Sequence, residues 1–183
     1  MKIMVAITGA SGSIYGRRLV ERLCLCDEAE RVWVCFTDNG RRVFAMEQPD
    51  SDLAALPKVE ILDIDDMFVP PASGSASADA VAVVPCSAGM MSRIACGVSD
   101  DLVSRAADVM LKERRKLILA VRETPLNLIH LRNMETLTLA GAVVMPACPS
   151  FYTMPETMEQ LVDTVVDRIM AQLGFDVGKG WQE

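Results

Sequence analysis

MKIMVAITGASGSIYG, residues 1–16, decides the fold. Lys2 to Ile7 is an almost wholly apolar run that stops at the small residues Thr8 to Ser13, and a helical pattern starts at Ile14. An apolar run without alternation suits a strand buried on both faces, as in a parallel sheet covered by helices on each side. Similar runs recur as RVWVCF near residue 31, AVAVVP near 80, KLILAV near 116 and GAVVMP near 141. Helical spacing lies between them: Ile14 to Cys26, Asp101 to Arg115, a third helix opened by Thr124-Pro125 and closed by Gly141, and a last one from Pro155 to about Leu173. The alternation predicts a single α/β domain over 1–183, a doubly wound and mostly parallel sheet in a Rossmann-like or flavodoxin-like three-layer sandwich. Only Gln48 to Asp79 breaks the pattern, with a weak apolar stretch at Val59 to Ile64 and a Pro/Gly/Ser-rich VPPASGSASAD that reads as a surface loop, a lid or a subunit contact.

Composition narrows the function. Of 183 residues, 51% are hydrophobic and 23% charged, as in an ordinary globular protein, and the net charge of -7 argues against a nucleic-acid or anionic-membrane partner. The six cysteines form no CxxC pair and have no histidine at ligand spacing, so no metal site is expected. The apolar run before the first turn is far shorter than a signal-peptide core, which points to a cytoplasmic protein with reduced thiols.

In an open α/β sheet, ligands bind beyond the carboxyl ends of the strands. Five such ends carry TGASGS, Thr37-Asp38, PCSAG, Arg122-Glu123 and PACPSFY, while the strand bodies are apolar. Glycines in TGASGS let amides approach an oxyanion, and the following helix adds a partial positive charge, so a phosphate is the natural guest. Gly9, Gly12 and Gly16 only approximate the dinucleotide fingerprint, with Asp38 in the place of a ribose acid; an NAD-dependent reductase is disfavoured because no Tyr-x-x-x-Lys pair exists. Cys86 stands at a strand-to-helix turn, but the one histidine, His130, lies on a helix after another strand, which disfavours a Cys-His or Ser-His-Asp arrangement.

RAADVMLKERRKLILAVRE, residues 105–123, is the basic exception, with six cationic and three acidic residues. Arg105, Asp108 and Lys112 fall on one helical stripe, whereas Arg114, Arg115 and Lys116 read as a solvated helix end. Arg122 and Glu123 follow a strand and point into the crevice, where the arginine suits a phosphate or carbonyl and the carboxylate an acid or base role. Lys112 lies about 10 Å down its helix from Arg105, towards the wrong edge of its own sheet.

TGASGSIYG, PPASGS, PCS, RAADVMLKERRKLILAVRETPLNLIHLRNM, GAVVMPACPSFY and the final helix through Arg168 together resemble the flavin prenyltransferases of the UbiX type, within the homo-oligomeric flavin-binding decarboxylase-like superfamily. The resemblance implies an enzyme that takes reduced FMN and dimethylallyl phosphate, joins the prenyl carbons to flavin N5 and C6, and supplies prenylated FMN to a UbiD-type decarboxylase. It implies no metal, and a homo-oligomer, typically a dodecamer, with sites where subunits meet. Carried over by position, Gly9, Ala10, Ser11, Thr37, Ser87, Ala88, Gly89, Met90 and Arg122 contact FMN. Arg105, Lys112, Glu123, Tyr152 and Arg168 grip the prenyl phosphate, some from an adjacent chain, and Ser11 with Glu47 manages protons. Thr153 and Gly89-Met90 depart from the family pattern. The alternatives are an FMN-dependent decarboxylase of the cysteine decarboxylase type, whose PxMN-type segment and catalytic histidine after the first helix are not visible here, and a non-catalytic FMN-binding protein.

Overall fold

The structure is a computed structural model that describes residues 1–75 and 78–177. Its chain order is β1 (Lys2–Ile7), α1 (Ser13–Leu25), β2 (Arg31–Phe36), α2 (Asp38–Glu47), β3 (Val59–Leu62), β4 (Ala80–Cys86), α3 (Ala88–Ala95), α4 (Leu102–Lys112), β5 (Lys116–Val121), α5 (Leu128–Leu139), β6 (Val143–Pro146) and α6 (Met158–Leu173), with short 3-10 turns at Leu53–Ala55 and Pro70–Ala72. The six strands make one parallel sheet in the order β3-β2-β1-β4-β5-β6. β1 is central, with Ile3 beside both Val32 and Ala80. The doubly wound three-layer sandwich is therefore as expected.

Strand alternation sorts the core into two layers. Ile3, Val5 and Ile7 face α1 and α6, packing on Leu19, Leu23, Val166 and Ile169; Met4 and Ala6 face α3 and α4, packing on Met91, Ile94, Val103 and Met110. Ion pairs Arg17–Glu159 and Arg18–Asp163 and the Arg22–Asp167 pair join α1 to α6. Such partly exposed pairs add little next to the apolar seam they border.

Several expectations change. α2 and α3 are helices that the apolar pattern leaves unmarked: α2 buries only Gly40 and Phe44, and α3 is eight residues long. Val59–Leu62 is an edge strand. The third helix starts at Leu128, because Asn127 and His130 form the capping box there, and the last starts after Thr157 rather than at Pro155. α4 ends at Lys112, so Arg114–Lys116 are not a solvated helix face. Arg115 donates to the carbonyls of Ala78 and Gly74, both at 3.0 Å, and Lys116 donates to Leu173 O at 3.0 Å, satisfying the end of α6. Among the described residues no helix is long and apolar enough to cross a membrane.

Two glycines let helices touch the sheet. A Cβ on Gly16 would lie 2.5 Å from Val84 O, and one on Gly40 would lie 2.1 Å from Ile7 O. Gly40→Ala is expected to lose at least about 2 kcal/mol in urea unfolding, since the clash is with backbone that cannot turn aside; stability equal to that of the unsubstituted chain would mean that α2 is free to shift.

Candidate active site

The site begins at a buried hydroxyl. Thr8, at the end of β1, is 1% exposed; its Oγ1 donates to Pro85 O at 2.8 Å and accepts from Ser87 N at 2.8 Å. The regular β1–β4 register stops at Ala6 and Val83, and Pro85 has no N–H to continue it. Thr8 N also donates to Pro85 O at 3.3 Å, so Thr8 joins the two strands through backbone and side chain and sets Ser87, whose own Oγ accepts from Met90 N and starts α3. Across the sheet, Thr37 Oγ1 accepts from Gly40 N at 3.0 Å and starts α2. A Cβ on Gly9 would lie 2.7 Å from Asn39 Cβ, so only a bare backbone fits against the α2 start.

These parts enclose a crevice of about 390 Å³ at the carboxyl edge, lined by Gly9, Thr37, Asn39, Ile64, Ser87 and Met90 and bordered by Asp38, Asp65, Arg93 and Asp101. It opens beside the β1/β4 boundary, where strand order reverses. Asn39, Ile64, Asp65, Arg93 and Asp101 escaped sequence reasoning, because their place depends on the turns after β2, β3 and α3, which carry no motif.

The TGASGS turn differs from expectation. The Gly12 and Ser13 amides, which open α1, donate to Glu47 Oε2 at 2.9 and 2.8 Å. Burial pushes the Glu47 carboxyl up, but the Ser11 side chain and the two amides outweigh it and hold the group below the ordinary range. Glu47, at the end of α2, thus fills the anion position expected for a phosphate. Gly12 permits this turn with a φ of 104°, a left-handed conformation. The Ser11 carbonyl accepts from Arg122 Nε at 2.9 Å, while Arg122 N donates to Cys86 O at 3.0 Å, so the guanidinium ties the β5 end to the first loop. Cys86 is fully buried and its thiol is pushed up to about 12, which removes it as a nucleophile.

The five residues expected at the prenyl phosphate do not meet within one chain. Arg105 Nε donates to Ala72 O at 3.0 Å and Nη1 to Asp108 at 2.9 Å, and Lys112 pairs with Glu113 beside Gly74. Lys112 ends α4 just before β5 begins, at the amino edge, opposite the crevice. Glu123 is exposed at the β5 end, where Oε1 accepts from Thr124 N. Tyr152 is exposed in the loop between β6 and α6. Arg168 is exposed on α6, in the opposite layer from α4, one turn beyond Thr164, whose Oγ1 receives Ser150 N and anchors that loop.

A central Thr bridge, two capped helix starts and a crevice at the switch point define a nucleotide-binding α/β protein, and the crevice volume suits a flavin-sized ligand. The flavoprotein family model matches residues 1–170. Flavin prenyltransferase UbiX of Methanocaldococcus jannaschii is 46% identical over 178 residues, covering 96% of this chain and 95% of its own. A crystal structure of AnUbiX (PadA1) in complex with FMN and dimethylallyl pyrophosphate is similar with a TM-score of 0.90 at 39% identity, over 99% of this chain and 98% of that one. A dodecameric FMN-dependent UbiX-like decarboxylase from Escherichia coli O157:H7 matches with a TM-score of 0.93 at 37% identity, over the full length of both chains. The chain belongs to the flavoprotein family and, within it, to the flavin prenyltransferases of the UbiX type.

Two outcomes test this site. Thr8→Val leaves Ser87 N without its partner and Pro85 O with only the Thr8 amide, and is expected to lower stability by about 1–3 kcal/mol and to weaken flavin binding, with Thr8→Ser restoring both; equal flavin affinity in Thr8→Val removes Thr8 from the positioning of Ser87. Because the folded Glu47 pKa lies below its ordinary 4.5, its stabilisation is complete above that pH and is lost as pH falls through the folded value. Glu47→Gln is expected to be less stable at pH 7 and to lose less stability on acidification below about 4.5, read by thermal melting across pH.

Proposed function

We propose that this chain transfers a dimethylallyl group from dimethylallyl phosphate to N5 and C6 of reduced FMN, releasing inorganic phosphate and giving prenylated FMN. One observation carries the reading: a relative of the same fold and nearly the same length, 39% identical, binds FMN together with a dimethylallyl donor. This chain offers matching chemistry at its strand ends.

Gly9, Ala10 and Ser11 present backbone to the flavin, Thr37 and the Ser87–Met90 turn offer helix starts, and Arg122 closes the β5 side. The flavin supplies the nucleophilic ring atoms. As the allylic C–O bond breaks, the electron pair leaves with the phosphate and positive charge grows on carbon, so cations and a phenol at the phosphate lower the barrier. Arg105, Lys112, Tyr152 and Arg168 are the side chains for that work, with Glu123 orienting them. Glu47, ionised at neutral pH and hydrogen-bonded by Ser11, accepts protons released as the new bonds form.

The phosphate set is completed between copies. α4 and α6 lie on opposite faces of one sheet, and Lys112 stands at its amino edge, so Lys112 serves the crevice of a neighbouring chain. Support for an oligomer, with the dodecamer of the E. coli relative as its pattern, comes from α5, which buries only Leu137 while Leu128, Ile129 and Leu139 are exposed. The product passes to a UbiD-type decarboxylase, since no step here consumes prenylated FMN. Six free thiols support a cytoplasmic location.

Anaerobic incubation with reduced FMN and dimethylallyl phosphate, followed by mass spectrometry of the bound flavin, tests the reading. A flavin heavier by one prenyl unit is expected, and an unchanged mass with both ligands bound rejects it. Mixing Lys112→Ala and Arg168→Ala chains, each inactive alone, is expected to restore part of the activity, because some sites then draw both intact residues from different copies.

A further inference from the structure

Most cations of the fold are committed. Arg17, Arg18 and Arg22 bind carboxylates at the α1/α6 seam, Arg115 and Lys116 bind carbonyls, and Arg122 binds Ser11. Arg93 differs. It sits on α3 one turn beyond Gly89, and it is the only cation among the described residues lining the crevice shared by Thr37 and Ser87. Its Nη2 pairs with Asp100 and lies 3.5 Å from Asp101, while its Nε is buried with no hydrogen-bond partner among the described residues. A guanidinium has five N–H donors in a planar fork, and both carboxylate contacts fall on Nη2, which leaves the Nη1 donors for a ligand.

The surrounding charges require such a donor. Asp38, Asp65 and Asp101 line the same crevice and repel a phosphate dianion. Asp101 does not depend on Arg93, because Ser104 N and Oγ donate to its Oδ1 at 2.7 and 2.8 Å. The α1 amides are filled by Glu47, which leaves the starts of α2 and α3 as the helix ends facing this space. Resting on the reading of FMN as substrate, we propose that Arg93 binds the FMN phosphate between the Thr37 and Ser87 helix starts and thereby makes the protein select FMN over riboflavin.

The experiment is anaerobic titration of the full chain with FMN and with riboflavin in parallel. Arg93→Gln is expected to weaken FMN roughly ten- to hundredfold, the worth of charge-assisted hydrogen bonds to a phosphate, and to leave riboflavin unchanged. Arg93→Lys keeps the charge without the fork and recovers part of the loss. Arg41→Gln is the control: Arg41 lies over the Phe36 ring, 5.1 Å from its centroid, in the adjoining groove, and the FMN-to-riboflavin ratio is expected to hold. An unchanged ratio in Arg93→Gln, or a ratio that collapses in Arg41→Gln instead, overturns the assignment. Equal weakening of both flavins marks a purely structural role and overturns it as well. Failure of the unsubstituted protein to bind either flavin overturns this assignment and the FMN reading together.

Discussion

The hydroxyl of Thr8 reinforces the joint between the two central strands where their regular ladder ends. One donor and one acceptor on a single buried oxygen satisfy Pro85 O and Ser87 N at once. Without that bridge the β1 and β4 ends would keep only the Thr8 N to Pro85 O backbone bond past Val83, and Ser87, which starts α3, would lose its tie to β1. The crevice is the space left when these two ends, and the α2 start pressed against Ile7 by Gly40, are held at fixed separations.

Charge around this frame is partitioned. Glu47 neutralises the α1 start from within, so the first loop contributes backbone and hydroxyl groups rather than an anion socket. Carboxylates border the crevice together with Arg93, while Arg105 and Lys112 stand on α4 and Arg168 on α6. An acidic chain thereby keeps its basic groups at separate stations that a single subunit does not bring together.

Much of the fold was legible because strands buried on both faces leave unbroken apolar runs, as in Lys2–Ile7 and Lys116–Val121. α2 and α3 were not, because one buries little and the other is short, so neither leaves a long periodic stripe. Arg115 and Lys116 looked solvated in the sequence, yet each satisfies carbonyls from segments distant along the chain. The small residues at the strand ends were legible as candidates because they interrupt apolar runs, and Gly9, Thr37 and Ser87 do line one crevice; Arg93 and Asp65 were not, because nothing in their local sequence distinguishes them from other surface charges.

The sequence by itself determined the parallel sandwich, the edge at which the crevice opens and the family resemblance, since burial on two faces and small residues at strand ends are written locally. Tertiary structure alone decided that Glu47 occupies the first helix start, that Arg93 faces the crevice, and that Lys112 and Arg168 lie apart. Those facts depend on which helix covers which face of the sheet and on contacts closed over long stretches of chain, and local pattern carries neither.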